Sequence, residues 1–147
     1  MIICSPCNDS ELILSVLRDD SIWNSISEDG MDKDTFTLPP SLHFFTLKDS
    51  DSLLGVCALR VVSSICAELH TCLLKAASGK SNACFNSLAA YLLGNTALET
   101  VITVIPETNK LAEAAAKRSG FLPAGFIPYS YVKNGTPVGQ HIYQVIL

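Results

Sequence analysis

The stretch from Ser64 to Gly94 constrains the fold most, because its period changes in the middle. Ile65 to Leu74 reads as an extended strand, whereas Ser81 to Leu93 places Cys84, Leu88, Tyr91 and Leu92 on one helical face. Between them lies the short polar turn Ala77-Ser78-Gly79-Lys80-Ser81-Asn82. A glycine-containing turn that leads from a strand into a helix aims free backbone N–H groups at one point, with the positive end of the helix dipole behind them. Such a turn is an anion site, most often for phosphate. A P-loop would need a glycine five positions before Gly79-Lys80-Ser81, and Leu74 stands there, so a nucleotide triphosphatase is set aside.

The remaining chain supplies strands and helices in an order that gives a mixed sheet. Met1 to Cys7 reads as a short edge strand limited by Pro6. Asn8, Asp9 or Ser10 can cap a helix reaching Arg18, and Asp19 to Asp29 forms a second helix around Ile22, Trp23 and Ile26. Gly30 to Pro40 is a loop. Leu42 to Leu47 and Leu53 to Val62 form a hairpin, and the strand from Ile65 follows closely, so an antiparallel meander is expected. Strand, helix and strand from Ile65 to Ile105 then imply a parallel crossover. After a helix from Lys110 to Ser119, Ala124 to Leu147 carries two β-rich runs around the turn signal Asn134-Gly135.

Composition narrows the class further. A chain of 147 residues, 48% hydrophobic and 16% charged, suits one domain, 1–147, with a core of its own. Ten Lys and Arg without a cluster, and a formal net charge of −4, argue against nucleic acid as a partner. No apolar run reaches the span of a bilayer and the N-terminus lacks a signal-peptide pattern, so a soluble cytoplasmic protein is expected, with no membrane partner. Of six cysteines, Cys57, Cys66, Cys72 and Cys84 lie among apolar neighbours and are expected in the core. Cys4 and Cys7 form a lone C-x-x-C, and the scattered histidines His43, His70 and His141 complete no metal set.

Two blocks together resemble the GNAT superfamily of acyl-CoA-dependent N-acetyltransferases. Ser78-Gly79-Lys80-Ser81-Asn82-Ala83 is similar to its pyrophosphate loop, with serines in place of the basic residue and the first glycine. The strand Thr100 to Ile105, Asn109 opening a helix and Gly120-Phe121 closing it resemble the second block. The resemblance covers roughly Leu42 to Leu147 and implies an α/β fold: a mixed, mostly antiparallel sheet with helices on both faces and a splayed central strand pair. It implies acetyl-CoA (coenzyme A) as cofactor and an amine acceptor, small molecule or protein, bordered by the first two helices. Leu73 and Leu74 would pair with the pantetheine arm; Gly79, Lys80, Ser81, Asn82 and Ala83 would hold the pyrophosphate; Asn109 would support the arm or cap its helix.

Acetyl transfer to an amine needs a base. Alternation along the strand puts Cys66, Glu68, His70, Cys72 and Leu74 on one face, and many GNAT enzymes carry their base there, so Glu68 is the expected base and His70 the second candidate. The family's usual acid, a tyrosine, is replaced by Ala116; Tyr129 or Tyr131 could serve instead. These departures leave two alternatives open. One is a catalytically degenerate GNAT fold acting by protein contacts, as a homodimer or with phage structural proteins in head assembly, since the tail from Gly125 to Tyr143 resembles small phage-encoded GNAT-like proteins. The other is a sensor that binds acyl-CoA without turnover.

Overall fold

The computed structural model describes all 147 residues. Strands β1 (Ile2–Pro6), β2 (His43–Asp49), β3 (Ser52–Val61), β4 (Cys66–Leu73), β5 (Thr100–Pro106), β6 (Leu122–Lys133) and β7 (Thr136–Ile146) form one sheet in the order β1-β2-β3-β4-β5-β7-β6. Helices α1 (Ser10–Leu17) and α2 (Asp20–Ile26) follow β1; α3 (Ser81–Asn95) joins β4 to β5, and α4 (Lys110–Arg118) joins β5 to β6. Every strand pair is antiparallel except β4 with β5. The meander, the crossover and the C-terminal hairpin expected from the sequence are all present.

Local chemistry accounts for the element ends. The carboxylate of Asp9 accepts from the Leu12 N–H at 3.1 Å and starts α1, and Asp19 does the same for α2 through Ser21. The β6–β7 turn uses Asn134 and Gly135 at φ of 54° and 76°, the two left-handed residues that a tight hairpin needs. At the end of α4 the Phe121 N–H returns to the Ala116 carbonyl at 3.0 Å and turns the ring into the core.

Both faces of the sheet are covered. On one, Cys84, Leu88 and Leu92 of α3 and Ala116 of α4 pack on Leu47, Leu59, Leu69 and Val101, with Tyr91 edge-on to Phe45 at 5.4 Å. On the other, Ile13, Val16 and Leu17 of α1 and Ile22 of α2 cover Phe44, Val56, Ala58 and Cys72. Cys57, Cys72 and Cys84 are buried as expected. Cys66 departs from the expectation: it is half-exposed at the open start of β4, while Cys4, from the C-x-x-C, takes a buried place under α3. No helix is long and apolar enough to cross a membrane.

The α2 wall is tied to the far end of the sheet. Lys133 Nζ donates to the carbonyls of Asn24 and Ser27 at 2.7 Å each, and the Asp29 carboxylate accepts from the N–H groups of Asn134 and Gly135 at 3.0 and 2.7 Å. These bonds hold the C-terminal end of α2 against the β6–β7 hairpin.

Candidate active site

Strands β4 and β5 pair over only three positions, Cys66 with Thr100, Ala67 with Val101 and Glu68 with Ile102. Beyond Glu68 they separate, although β4 stays paired with β3 as far as Leu73. The gap opens into a cleft of about 490 Å³, bounded by α2 at one end and by α3 and α4 at the other. A splayed parallel pair therefore makes the cavity.

Backbone groups line the gap by alternation. The Val62 N–H bonds to the Cys66 carbonyl at 2.9 Å and the Leu74 N–H to the Leu54 carbonyl at 2.8 Å, so even-numbered residues of β4 turn their polar groups toward β3. Odd-numbered Leu69, Thr71 and Leu73 then turn theirs toward the open gap. Of the two residues expected to meet a pantetheine arm, Leu73 faces the gap with its backbone groups, and the N–H of Leu74 is bonded to β3.

At the mouth of the cleft, a 3-10 turn (Lys75–Ala77) leads into Gly79 at φ 76° and then α3, whose first turn has no side-chain cap. The N–H groups of Gly79, Ser81, Asn82 and Ala83 meet no acceptor within the protein. Lys80 is different from the expectation: its N–H donates to the Ala77 carbonyl at 2.8 Å, and its Nζ lies 3.2 Å from Asp49. Free N–H groups at a helix start are suited to an anion such as a pyrophosphate. Asn109 caps α4 by accepting from the Ala112 N–H at 3.1 Å while also lining the cleft.

Glu68 sits at the last paired rung with both oxygens engaged. Arg60, its cross-strand partner on β3, donates to Oε1 at 2.6 Å, and His70 Nε2 lies 2.7 Å from Oε2. The hydrogen bond from His70, together with that from Arg60, holds the carboxyl down at about 2 against the desolvation of its site. A carboxylate so held has little affinity for a further proton. The His70 ring lines the cleft and is 42% exposed, which leaves its second nitrogen open to a bound molecule.

Tyr131 lines the cleft, whereas Tyr129 points to solvent. Burial, then the nearby Glu28 and Asp29, pushes the Tyr131 phenol up, so it remains a proton donor at neutral pH. Ala116 contributes only a methyl group to the wall. Sequence reasoning missed Arg60, although the short β3–β4 turn sets it opposite Glu68. It also missed Thr103 and Gln140, which reach the cleft only through the β5–β7 pairing.

The family described as "Protein of unknown function (DUF2824)" matches residues 10–146. No protein of curated function matches the sequence. Among solved structures, spermidine N-acetyltransferase from Vibrio cholerae, in complex with CoA and spermine, superposes with a TM-score of 0.79 at 15% identity, covering 99% of this chain and 95% of that one. A probable acetyltransferase of the GNAT family from Chromobacterium violaceum gives 0.76 at 17% identity over 99% and 87%. The protein smu.2055 from Streptococcus mutans gives 0.71 at 16% identity over 97% and 98%. At such identities the likeness establishes the GNAT fold, sheet and helices alike.

Proposed function

The chain belongs to the DUF2824 family and has the GNAT fold, and from its cleft we propose that it transfers an acetyl group from acetyl-CoA to an amine. The observation that carries this is the coincidence of an unpaired β4 edge with four free N–H groups at the start of α3. Gly79, Ser81, Asn82 and Ala83 would hold the pyrophosphate, and Leu73 and Asn109 the arm that runs into the gap.

His70 takes the proton of the acceptor ammonium, and Glu68, anchored by Arg60, is the positioning residue that fixes the ring. The freed amine nitrogen bonds to the acetyl carbon as the carbon–sulfur bond breaks, the Tyr131 hydroxyl supplies a proton to the leaving sulfur, and the second proton that the nitrogen loses restores the phenol. Free N–H groups of β4 near the gap polarise the carbonyl.

Calorimetric titration with acetyl-CoA tests the reading, with Gly79→Asp as the control. Micromolar binding that the variant loses while it still melts cooperatively supports it, since an added carboxylate repels a pyrophosphate; nothing lies within 4 Å of Gly79, but its φ of 76° strains any side chain, so the melt reports on the fold. Absence of binding at millimolar cofactor overturns it.

One observation favours a second reading, a fold that acts by protein contact as a homodimer or in phage head assembly. From Leu122 to Val132 the edge strand β6 carries no charge, and Leu122, Phe126, Ile127 and Tyr129 on it are exposed. Under that reading Phe126→Glu abolishes self-association or partner capture and leaves Glu68 and His70 irrelevant.

A further inference from the structure

The residues lining the cleft include no Asp, Glu, Lys or Arg. That composition separates acceptor classes. A polyamine, or any acceptor with a second ammonium, needs a carboxylate to receive the charge that its first amine does not lose. The acidic groups around the α2 end stand outside this lining: Asp20 is paired with Lys33, while the carboxylates of Asp19, Glu28 and Asp29 face Ser21, the Val132 N–H and the N–H groups of Asn134 and Gly135. Glu68 is shared between Arg60 and His70.

What the acceptor end does present is neutral. Ser21, Ser25, Thr103 and Gln140 offer hydroxyl and amide groups beside the apolar Ile22 and Ile26. Such a wall suits a body with an amide and a small apolar group. The base at this wall is the imidazole of His70. An α-amine, near 7.7–8.0, offers a free nitrogen far more often than an alkyl amine near 10.4, which is free of its proton about 300 times more rarely at neutral pH.

We propose that the acceptor is an α-amino acyl compound with no charge besides its α-amine, an amino-acid amide or a peptide N-terminus, accepted at that amine between α2 and the His70 edge of the fork. This rests on the acetyl-transfer reading above. The α-ammonium gives one proton to His70, a carbon–nitrogen bond forms at the acetyl carbon as its bond to sulfur breaks, and the second proton lost by the nitrogen passes by way of Tyr131 to the sulfur, which leaves as the CoA thiol. Neither oxidant nor metal enters the balance.

The test is CoA thiol release by the purified full chain with acetyl-CoA at pH 7.2, offering alaninamide, trialanine amide, Nα-acetyl-lysinamide or spermidine. The expected result is a kcat/KM for one or both α-amines about 100-fold above those for the lysine amide and spermidine. His70→Gln loses that rate while acetyl-CoA affinity by calorimetry is kept. The two α-amines tell a free amino-acid derivative from a peptide end, and either one in the lead supports the class. Equal or faster turnover of spermidine or of the lysine amide overturns the acceptor assignment and leaves acetyl transfer standing. Silence with all four amines, cofactor bound, overturns acetyl transfer and this assignment with it.

Discussion

Glu68 accepts from two donors at once, and this sets how the protein responds to acid. Its carboxyl is held at about 2 when folded, against an ordinary value of 4.5, so its bonds stabilise the fold fully above that ordinary value. The contribution disappears as the pH falls from about 4.5 toward 2. Urea unfolding across pH should show Glu68→Gln less stable by about 1–2 kcal/mol at pH 7, with the gap to the parent closing over that acid window. A gap independent of pH would mean that the carboxylate is not ionised in this arrangement. The same residue marks the reach of sequence reading. Strand alternation brought Glu68 and His70 to one face, and nothing in that pattern says which of the two is tied down. The missing fact was Arg60 across the β3–β4 turn, eight positions back and recoverable only from the register.

At the scale of elements, the fork depends on β3 lying close behind β4. A Cβ added at Gly55 would run into the carbonyl oxygen of Cys72 and come within 2.9 Å of the Leu73 Cα, both backbone atoms that cannot move aside. Gly55→Ala should therefore lower stability by about 3 kcal/mol or more and weaken cofactor binding, read by thermal melting and calorimetry. The α2 wall gives a separate prediction. Lys133→Ala removes two bonds to the end of α2, and it should raise the acceptor KM several-fold while acetyl-CoA affinity holds, as steady-state kinetics would record. Helices, strands and the Asn134-Gly135 turn were readable because each depends on neighbours in the chain. The placement of β7 between β5 and β6, and the docking of α2 on the hairpin more than a hundred positions away, depend on long-range partners that no local period records.

For the whole molecule, the distribution of thiols reports on the fold. Cys4, Cys57, Cys72 and Cys84 are buried, between them touching both sheet faces, and Cys7 and Cys66 are half-exposed. Burial pushes the Cys4 thiol up to about 11 and Cys72 to about 12, so neither forms thiolate at neutral pH. A thiol reagent added to the native protein should label two groups quickly and four only at the rate of unfolding, and more than two fast groups would place one face of the sheet in solvent. The GNAT architecture is shared at 15% identity, so the fold by itself does not fix the chemistry of the cleft. The three rungs joining β4 to β5 carry one more consequence. Strands β1 to β4 precede β5 to β7 in the chain and lie wholly to one side of them in the sheet. A cut between Asn95 and Glu99 would thus give two complementary fragments, each with adjacent strands, whose reassembly rests on the core that α3 shares with α4 and on the α2–hairpin bonds more than on the sheet, and is strengthened by whatever bridges the seam.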